Sequence, residues 1–240
     1  MRHLDIPDLL NVRDMGGLPM REGGSTRWGS FVRADGLHNL NEVGRAALYE
    51  YGVRTVIDLR MPHELEQLPN PLSTDERMNF MNVSLLGSQG DEMFERNKHL
   101  PPHAEWALLV LEESKEKFRQ VFAGIAAAPE GVVLFHCYAG KDRTGLIADL
   151  LLDLVGVHDE HIVDDYDLSN HRLWPHVEAV ADTIDDPDAR ARAVDAWTVK
   201  RETAEVVLAH VRKNYGGAGG YLGAVGLSAA EVDAVKRRLI

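Results

Sequence analysis

Residues 136–145 read His-Cys-Tyr-Ala-Gly-Lys-Asp-Arg-Thr-Gly, which puts five residues between Cys137 and Arg143. Cys137 is the only cysteine in the chain, so neither an internal disulfide nor a multi-cysteine zinc site accounts for it. A lone cysteine is ordinarily an inert buried residue, and only its surroundings argue otherwise. Five intervening residues can wrap into a cradle in which the backbone of Tyr138, Ala139, Gly140, Lys141, Asp142 and Arg143 converges on a tetrahedral anion such as phosphate, reinforced by the positive end of a following helix. The planar fork of Arg143 suits two oxygens of that anion at once, a role a lysine's point charge does not fill. The same field stabilises a thiolate, and the thiol pKa is expected to fall from ~8.5 toward roughly 3.5–7.5. An ionised Cys137 under a bound phosphate could attack phosphorus in line and form a covalent intermediate that water later hydrolyses. Thr144 could donate its hydroxyl to the departing sulfur, and His136 reads as an orienting residue for the loop backbone rather than as an acid or base.

Such a loop needs a strand to end it and a helix to begin from it. Gly131 to Phe135 reads as a buried strand and Thr144 to Val155 as an apolar helix, the β-loop-α unit from which mostly parallel sheets are built. Upstream, Val43, Ala47, Leu48 and Tyr51 share one face of a helix over 41–51 that stops at Gly52, and Val53 to Leu59 reads as a second buried strand. Residues 61–104 are rich in Pro, Asn, Ser and Gly around one apolar run, Phe80 to Leu86, and read as a variable loop or lid region enclosing one further strand. One long helix is expected from Trp106, Leu109, Val110, Val121, Phe122 and Ile125, ending at Pro129. From 156 to 240 the chain reads as helical, with breaks at Pro175, Pro187 and the glycines 216–220, and a capping box, Ser228 to Glu231, opens the last helix. The expected fold class is therefore α/β in a single domain over 1–240, with a central, mainly parallel sheet, helices on both faces, and the C-terminal helices over one side.

The net charge of −12 argues against nucleic acid as a partner, so any anion site must be local. No apolar run approaches the ~20 residues of a membrane span. No signal peptide is legible at the start, so the cytoplasm is the expected address, with export by a route that needs no signal peptide left open. Gly140-Lys141 does not make a nucleotide loop, since that motif needs Gly where Phe135 stands and Ser or Thr where Asp142 stands. His158, His161, Asp164 and Asp165 read as first-turn helix residues rather than metal ligands, and neither a metal nor a cofactor is expected. Trp174-Pro175-His176 is treated as a chance likeness to an acid-bearing loop, because it follows the cysteine and lacks Asp. Arg13, Asp14, Arg33, Asp58 and Arg60 are expected to form a supporting ion-pair network.

His136-Cys137 with Arg143-Thr144 matches the HCx5R(S/T) loop of protein tyrosine phosphatases, and HCxAGKDRTG resembles the atypical bacterial tyrosine/serine phosphatases, some of which also accept phosphoinositides. The resemblance extends to Asn11-Val12-Arg13-Asp14-Met15-Gly16-Gly17, to Val56-Ile57-Asp58-Leu59-Arg60, and to the tail around Tyr215-Gly216-Gly217, Gly220-Tyr221-Leu222 and Gly226-Leu227-Ser228; it is weakest over 61–130. It implies a tyrosine-phosphatase-like sheet, a phosphocysteine on Cys137, a phosphorylated protein or phosphoinositide as partner, and inorganic phosphate as product. Lys141 is then either a second cation for substrate phosphate or a solvated loop lysine. Asp142 is the leading general acid, because like-charge repulsion from a bound phosphate retains its proton and the resembling family has Asp at this loop position. Asp91, in Gly90-Asp91-Glu92, is the alternative acid, and Asp58 at a strand end is a further candidate. Rivals are a sulfurtransferase or arsenate reductase using a similar anion loop, and a catalytically silent phosphoresidue-binding module.

Overall fold

In the computed structural model, which describes residues 2–86 and 104–240, the apolar run before the cysteine loop becomes the middle strand of a five-stranded sheet. The strands are β1 (Arg13–Asp14), β2 (Phe31–Ala34), β3 (Val53–Asp58), β4 (Asn79–Asn82) and β5 (Val132–His136), in the order β1-β2-β5-β3-β4. β5 runs parallel to β2 and to β3, β3 runs parallel to β4, and β1 pairs antiparallel with β2. A central parallel strand is covered on both faces, which is why it reads as an unbroken apolar run. Val133 and Phe135 join Phe31 and Ile57 on one side, while Val132 and Leu134 join Val32, Val53 and Val56 on the other.

The helices divide accordingly. α1 (Glu42–Glu50), capped by the Asn41 side chain, lays Leu48 on the second side. The first side carries α3 (Ala104–Glu113), α4 (Lys115–Ala127), α5 (Asp142–Leu154) and the C-terminal helices α8 (Arg201–Tyr215), α9 (Ala218–Ala224) and α10 (Ala229–Leu239), through side chains such as Phe118, Leu151, Val211, Tyr221 and Val235. α2 (Pro62–Gln67) follows β3, and α6 (Asp159–Ala181) and α7 (Pro187–Trp197) complete the described α-helices, beside a 3-10 turn at Leu37–Asn39. Sheet class and the stacking of the C-terminal helices agree with the sequence reading. Among the described residues, no helix is long and apolar enough to cross a membrane.

Four local expectations are corrected. The long helix around Trp106 and Ile125 is two helices, because Ser114 leaves the helical region and its carbonyl accepts from Lys117 and Phe118 to start a new turn. Pro175 does not break α6, which runs 23 residues through it; the hydrogen bond it forfeits is offset by burial of Leu173 and Val177 on either side. The glycine run stops α8 only at Gly216, where φ is +76°, whereas Gly219 and Gly220 lie inside α9. The strand expected over Phe80 to Leu86 is Asn79–Asn82, and Val83, Leu85 and Leu86 continue as buried loop, tied by Val83 N–H to the Asp58 carbonyl.

Asp165 is the largest departure. It is not a solvated first-turn acid but a buried hub, 3.0 Å from Arg13 Nε and 2.7 Å from Arg33 Nη1, with Arg2 as a third partner. Burial opposes its charge, yet Arg13 and Arg33 outweigh that and hold its carboxyl below the usual range. Burial beside Arg33 in turn lowers Arg13 to about 9. Asp165→Asn leaves two buried guanidinium groups short of a counter-charge and is expected to cost about 3–5 kcal/mol of stability by denaturant unfolding. A loss below about 1 kcal/mol would show that the cluster is solvated.

Candidate active site

β5 ends at His136 and α5 begins at Asp142, so Cys137 to Lys141 form the turn at the carboxyl edge of the sheet. Ala34 and Asp58, the last residues of β2 and β3, lie in register with His136. Around this turn the carbonyls are engaged outward, one after another. The Cys137 carbonyl accepts from His136 Nδ1 at 2.9 Å, and the Tyr138 carbonyl from Gly36 N–H at 2.8 Å. Asn11 Nδ2 donates to the Ala139 and Gly140 carbonyls at 3.1 and 3.2 Å, and Arg33 Nη2 reaches the Gly140 carbonyl at 2.9 Å. In a planar trans peptide the N–H of the next residue points opposite to each carbonyl. The N–H groups of residues 138–141 are thereby turned to the other side of the loop, as an anion cradle requires. Gly140 is obligatory here: its φ is +68°, and a Cβ would stand 2.4 Å from the Ala34 carbonyl oxygen.

Beneath the loop, His136 is fully buried. Asn70 Nδ2 lies 2.9 Å from His136 Nε2 and 3.0 Å from Asp58 Oδ2, and Asp58 also receives Arg60 through its guanidinium and its backbone N–H. Burial alone would raise the Asp58 carboxyl, but His136 and Arg60 hold it well below the usual range. The expected five-residue ion-pair network is thus two clusters, Arg13 and Arg33 on Asp165, and Arg60 on Asp58. Asp14 belongs to neither, because it accepts from Gly16 N–H, Gly29 N–H and the Tyr51 hydroxyl and so braces the 14–29 turn instead.

Cys137 is 2% exposed at the foot of the cradle. Arg143, on the first turn of α5, is held by a residue that the sequence reading missed: Glu64 of α2 takes its fork at 2.5 and 2.9 Å. Glu64 is itself fixed by Met61 N–H at 2.8 Å. Burial would raise Glu64, but the Arg143 hydrogen bonds prevail and keep it low; Arg143, despite burial, is raised by Glu64 and Cys137. Thr144 is buried on the same turn, and its Oγ1 has no hydrogen-bond partner among the described residues. Asp142 opens α5 and lies 3.6 Å from Lys141 Nζ. Lys141 is not solvated, being 4% exposed, and its ammonium donates to the Ala196 carbonyl at the end of α7, 2.7 Å away. Tyr138 is 40% exposed, stacks on His38 with ring centroids 5.9 Å apart, and faces Trp197 at 6.4 Å. Trp197 also packs edge-on against His176, so the Trp174-Pro175-His176 segment contributes an aromatic neighbour from within a helix and no loop. Asp91 lies outside the described residues.

One more carboxyl on α5 is perturbed. Burial pushes Asp149 up to about 8, with Asp165 and Asp153 adding to the effect against Arg33 and Arg13. Between the ordinary carboxylate pKa near ~3.9 and about 8, the folded protein keeps a proton that the unfolded chain has released. Stability therefore falls as pH rises through that window, by at most ~1.4 kcal/mol per pH unit, and levels off above it. Asp149→Asn removes this dependence. In urea unfolding it should match the wild type near pH 4 and exceed it by a margin that grows toward pH 8, while a constant difference across that range would contradict a buried neutral acid.

A sequence profile of a tyrosine phosphatase family matches residues 4–240. The chain belongs to that family. The tyrosine-protein phosphatase of Nostoc commune is 37% identical over 221 residues, 88% of this chain and 74% of that one. The triple specificity protein phosphatase PtpB of Mycobacterium tuberculosis is 26% identical over 276 residues, 98% of each chain. A crystal structure of P. aeruginosa TpbA in complex with pTyr shares 17% identity over 83% of this chain and 87% of that one, with a TM-score of 0.41. The family resemblance read from the cysteine loop holds across nearly the whole sequence, and the protein is a phosphatase. The sulfurtransferase and arsenate reductase readings give way to that assignment.

Proposed function

We propose that this phosphatase hydrolyses phosphate monoesters through a phosphocysteine on Cys137, with phosphotyrosine in proteins as its substrate class. The observation that carries the reading is the outward anchoring of the four loop carbonyls around Cys137, with Arg143 fixed by Glu64 on the adjoining helical turn. The inward N–H groups of residues 138–143 and the free edge of the Arg143 guanidinium hold the phosphate oxygens. Cys137 Sγ attacks phosphorus, the P–O bond to the leaving group breaks, and Asp142 gives its proton to the departing oxygen. Water then attacks phosphorus, Asp142 takes the water's proton, the P–S bond breaks, and inorganic phosphate leaves. Thr144, whose buried hydroxyl is unpaired in the free protein, donates to the sulfur as it departs.

The aromatic ester is favoured by the Tyr138, His38 and Trp197 rings beside the loop, which offer a phenyl group flat surfaces to pack on. Phosphoserine/threonine and phosphoinositide turnover are the alternatives against which phosphotyrosine peptides are assayed.

The acid is tested through the leaving group. A phenolate of conjugate pKa near ~10 gains from a proton donor, and general-acid catalysis is typically worth roughly 10²- to 10⁴-fold. Asp142→Asn should therefore slow phenyl phosphate by a factor in that range while nitrophenyl phosphate, whose leaving group needs little protonation, slows far less. Asp91→Asn should lack that contrast. A leaving-group sensitivity that follows Asp91 would move the acid to that segment and leave Asp142 a positioning role.

A further inference from the structure

α5 carries a second carboxyl behind the loop. Asp142 and Asp149 are seven residues apart, about two helical turns, and so face the same side. Both line a cavity of about 10 Å³, together with Tyr166 of α6 and Thr203 of α8, which is room for one water. Asp149 Oδ1, on a residue 2% exposed, has no hydrogen-bond partner among the described residues, and Thr203 Oγ1, on a residue 4% exposed, has no well-formed one, although it stands close enough to the Tyr166 phenol to favour its ionised form. Buried polar atoms of this kind ordinarily have a partner, and a water between them supplies one. Tyr166 lines the cavity with both carboxyls. Its ring lies against Gly145, where a Cβ would meet it at 2.5 Å, and its phenol is raised first by burial and then by Asp142 and Asp149, against the Arg33 charge and the Thr203 hydroxyl.

We propose that this cavity holds one ordered water bonded by Asp149, Thr203 and Tyr166, and that Asp149 acts through it as a positioning residue for the proton on Asp142. The proposal rests on the assignment of Asp142 as the general acid. The groups that face Asp149 are Arg13 of β1, Arg33 of β2, Asp165 and Tyr166 of α6, Thr203 of α8, and Asp142 and Asp153 of its own helix. Both arginines are already paired with Asp165, so Asp149 has no counter-charge of its own and stays a neutral acid near pH 7. As an acid it donates to the water, the water donates to the Tyr166 oxygen, and the Tyr166 hydroxyl is left to donate toward Asp142. Ionised, Asp149 can only accept, so the water turns and the order of the chain is lost.

By reciprocity, whatever Asp149 does to Asp142 must be returned. The titration of the Asp149 carboxyl carbon is followed by NMR in the wild type and in Asp142→Asn, a readout that needs no turnover. A midpoint displaced by about half a pH unit, a threefold change in proton affinity, is expected; an unmoved midpoint overturns the proposal. In turnover, Asp149→Asn should shift the alkaline fall of phenyl phosphate hydrolysis upward and leave nitrophenyl phosphate unchanged. Asp149→Leu, which dries the cavity, should lose about ten-fold on phenyl phosphate, a fraction of the general-acid contribution. Equal losses on both esters, or an unaltered alkaline limb in the asparagine variant, would mark Asp149 as structural. Failure of the Asp142 assignment itself looks different: Asp142→Asn then slows both esters alike, while the NMR titration still decides the coupling.

Discussion

Cys137→Ser should abolish turnover of an aryl phosphate and leave phosphate and its monoesters bound nearly as well as in the wild type. The serine hydroxyl is a far weaker acid than a thiol and offers no comparable anion to attack phosphorus, so the loss is expected on the scale of removing any covalent nucleophile, on the order of 10⁴-fold or more in kcat. Binding survives for a structural reason. The loop is held by Asn11, Arg33, His136 and the Gly36 backbone acting on carbonyl groups, and none of these anchors uses the sulfur. Serine is smaller than cysteine and fits the same buried position, so the cradle keeps its shape. Single-turnover kinetics with nitrophenyl phosphate, together with calorimetric titration of phosphate, measure the two halves separately. A serine variant turning over near the wild-type rate would remove Cys137 from the chemistry, and a variant that lost phosphate binding in proportion would mean that the sulfur, rather than the backbone, holds the anion.

The parts of this site that were legible in the sequence are local. A strand, a cysteine, five residues, an arginine and an apolar helix are contiguous, and each position answers a need of the neighbouring ones: Gly140 permits the positive φ, and Arg143 stands on the first turn of the helix that follows. What escaped is what tertiary contact supplies. Glu64 and Asn70 lie in the segment read as a variable loop, yet one holds the Arg143 fork and the other bridges Asp58 to His136. The available signal for Glu64 was its place two residues after Pro62, where the first turn of a helix directly follows a strand end beside the loop. Asp165 gave the reverse error. Its position near a helix start resembles an ordinary surface acid, and only the packing of α6 against the sheet edge brings it to Arg13 and Arg33. Lys141 is not the solvated loop lysine of one of its two readings, because it is buried and reaches a carbonyl 55 residues away.

Arg143→Lys keeps the charge but should lower kcat/KM by on the order of 10²–10³-fold, the scale of losing an oriented donor to transition-state charge. A guanidinium has five N–H donors in one plane. In the free protein, Glu64 Oε2 and Oε1 receive two of them, one from each terminal nitrogen, which fixes the plane and leaves the remaining donors to meet two phosphate oxygens. A lysine ammonium is a point charge on a flexible stem: it can pair with Glu64 or approach the phosphate, but it cannot hold both in one rigid plane. The nearby carboxylate therefore works against the substitution, since the shorter-reaching ammonium is drawn to Glu64 and away from the anion. This gives the experiment its second arm. Glu64→Gln, which leaves an uncharged partner for the arginine, should weaken the wild type by loosening the guanidinium, yet partly restore Arg143→Lys by releasing the ammonium toward phosphate. Measured as a double-mutant cycle on kcat/KM, the two changes should be strongly non-additive. A lysine variant within a few-fold of wild type, or a cycle that is simply additive, would show that Arg143 contributes charge alone and that its fork, and the glutamate that orients it, carry no part of phosphate recognition.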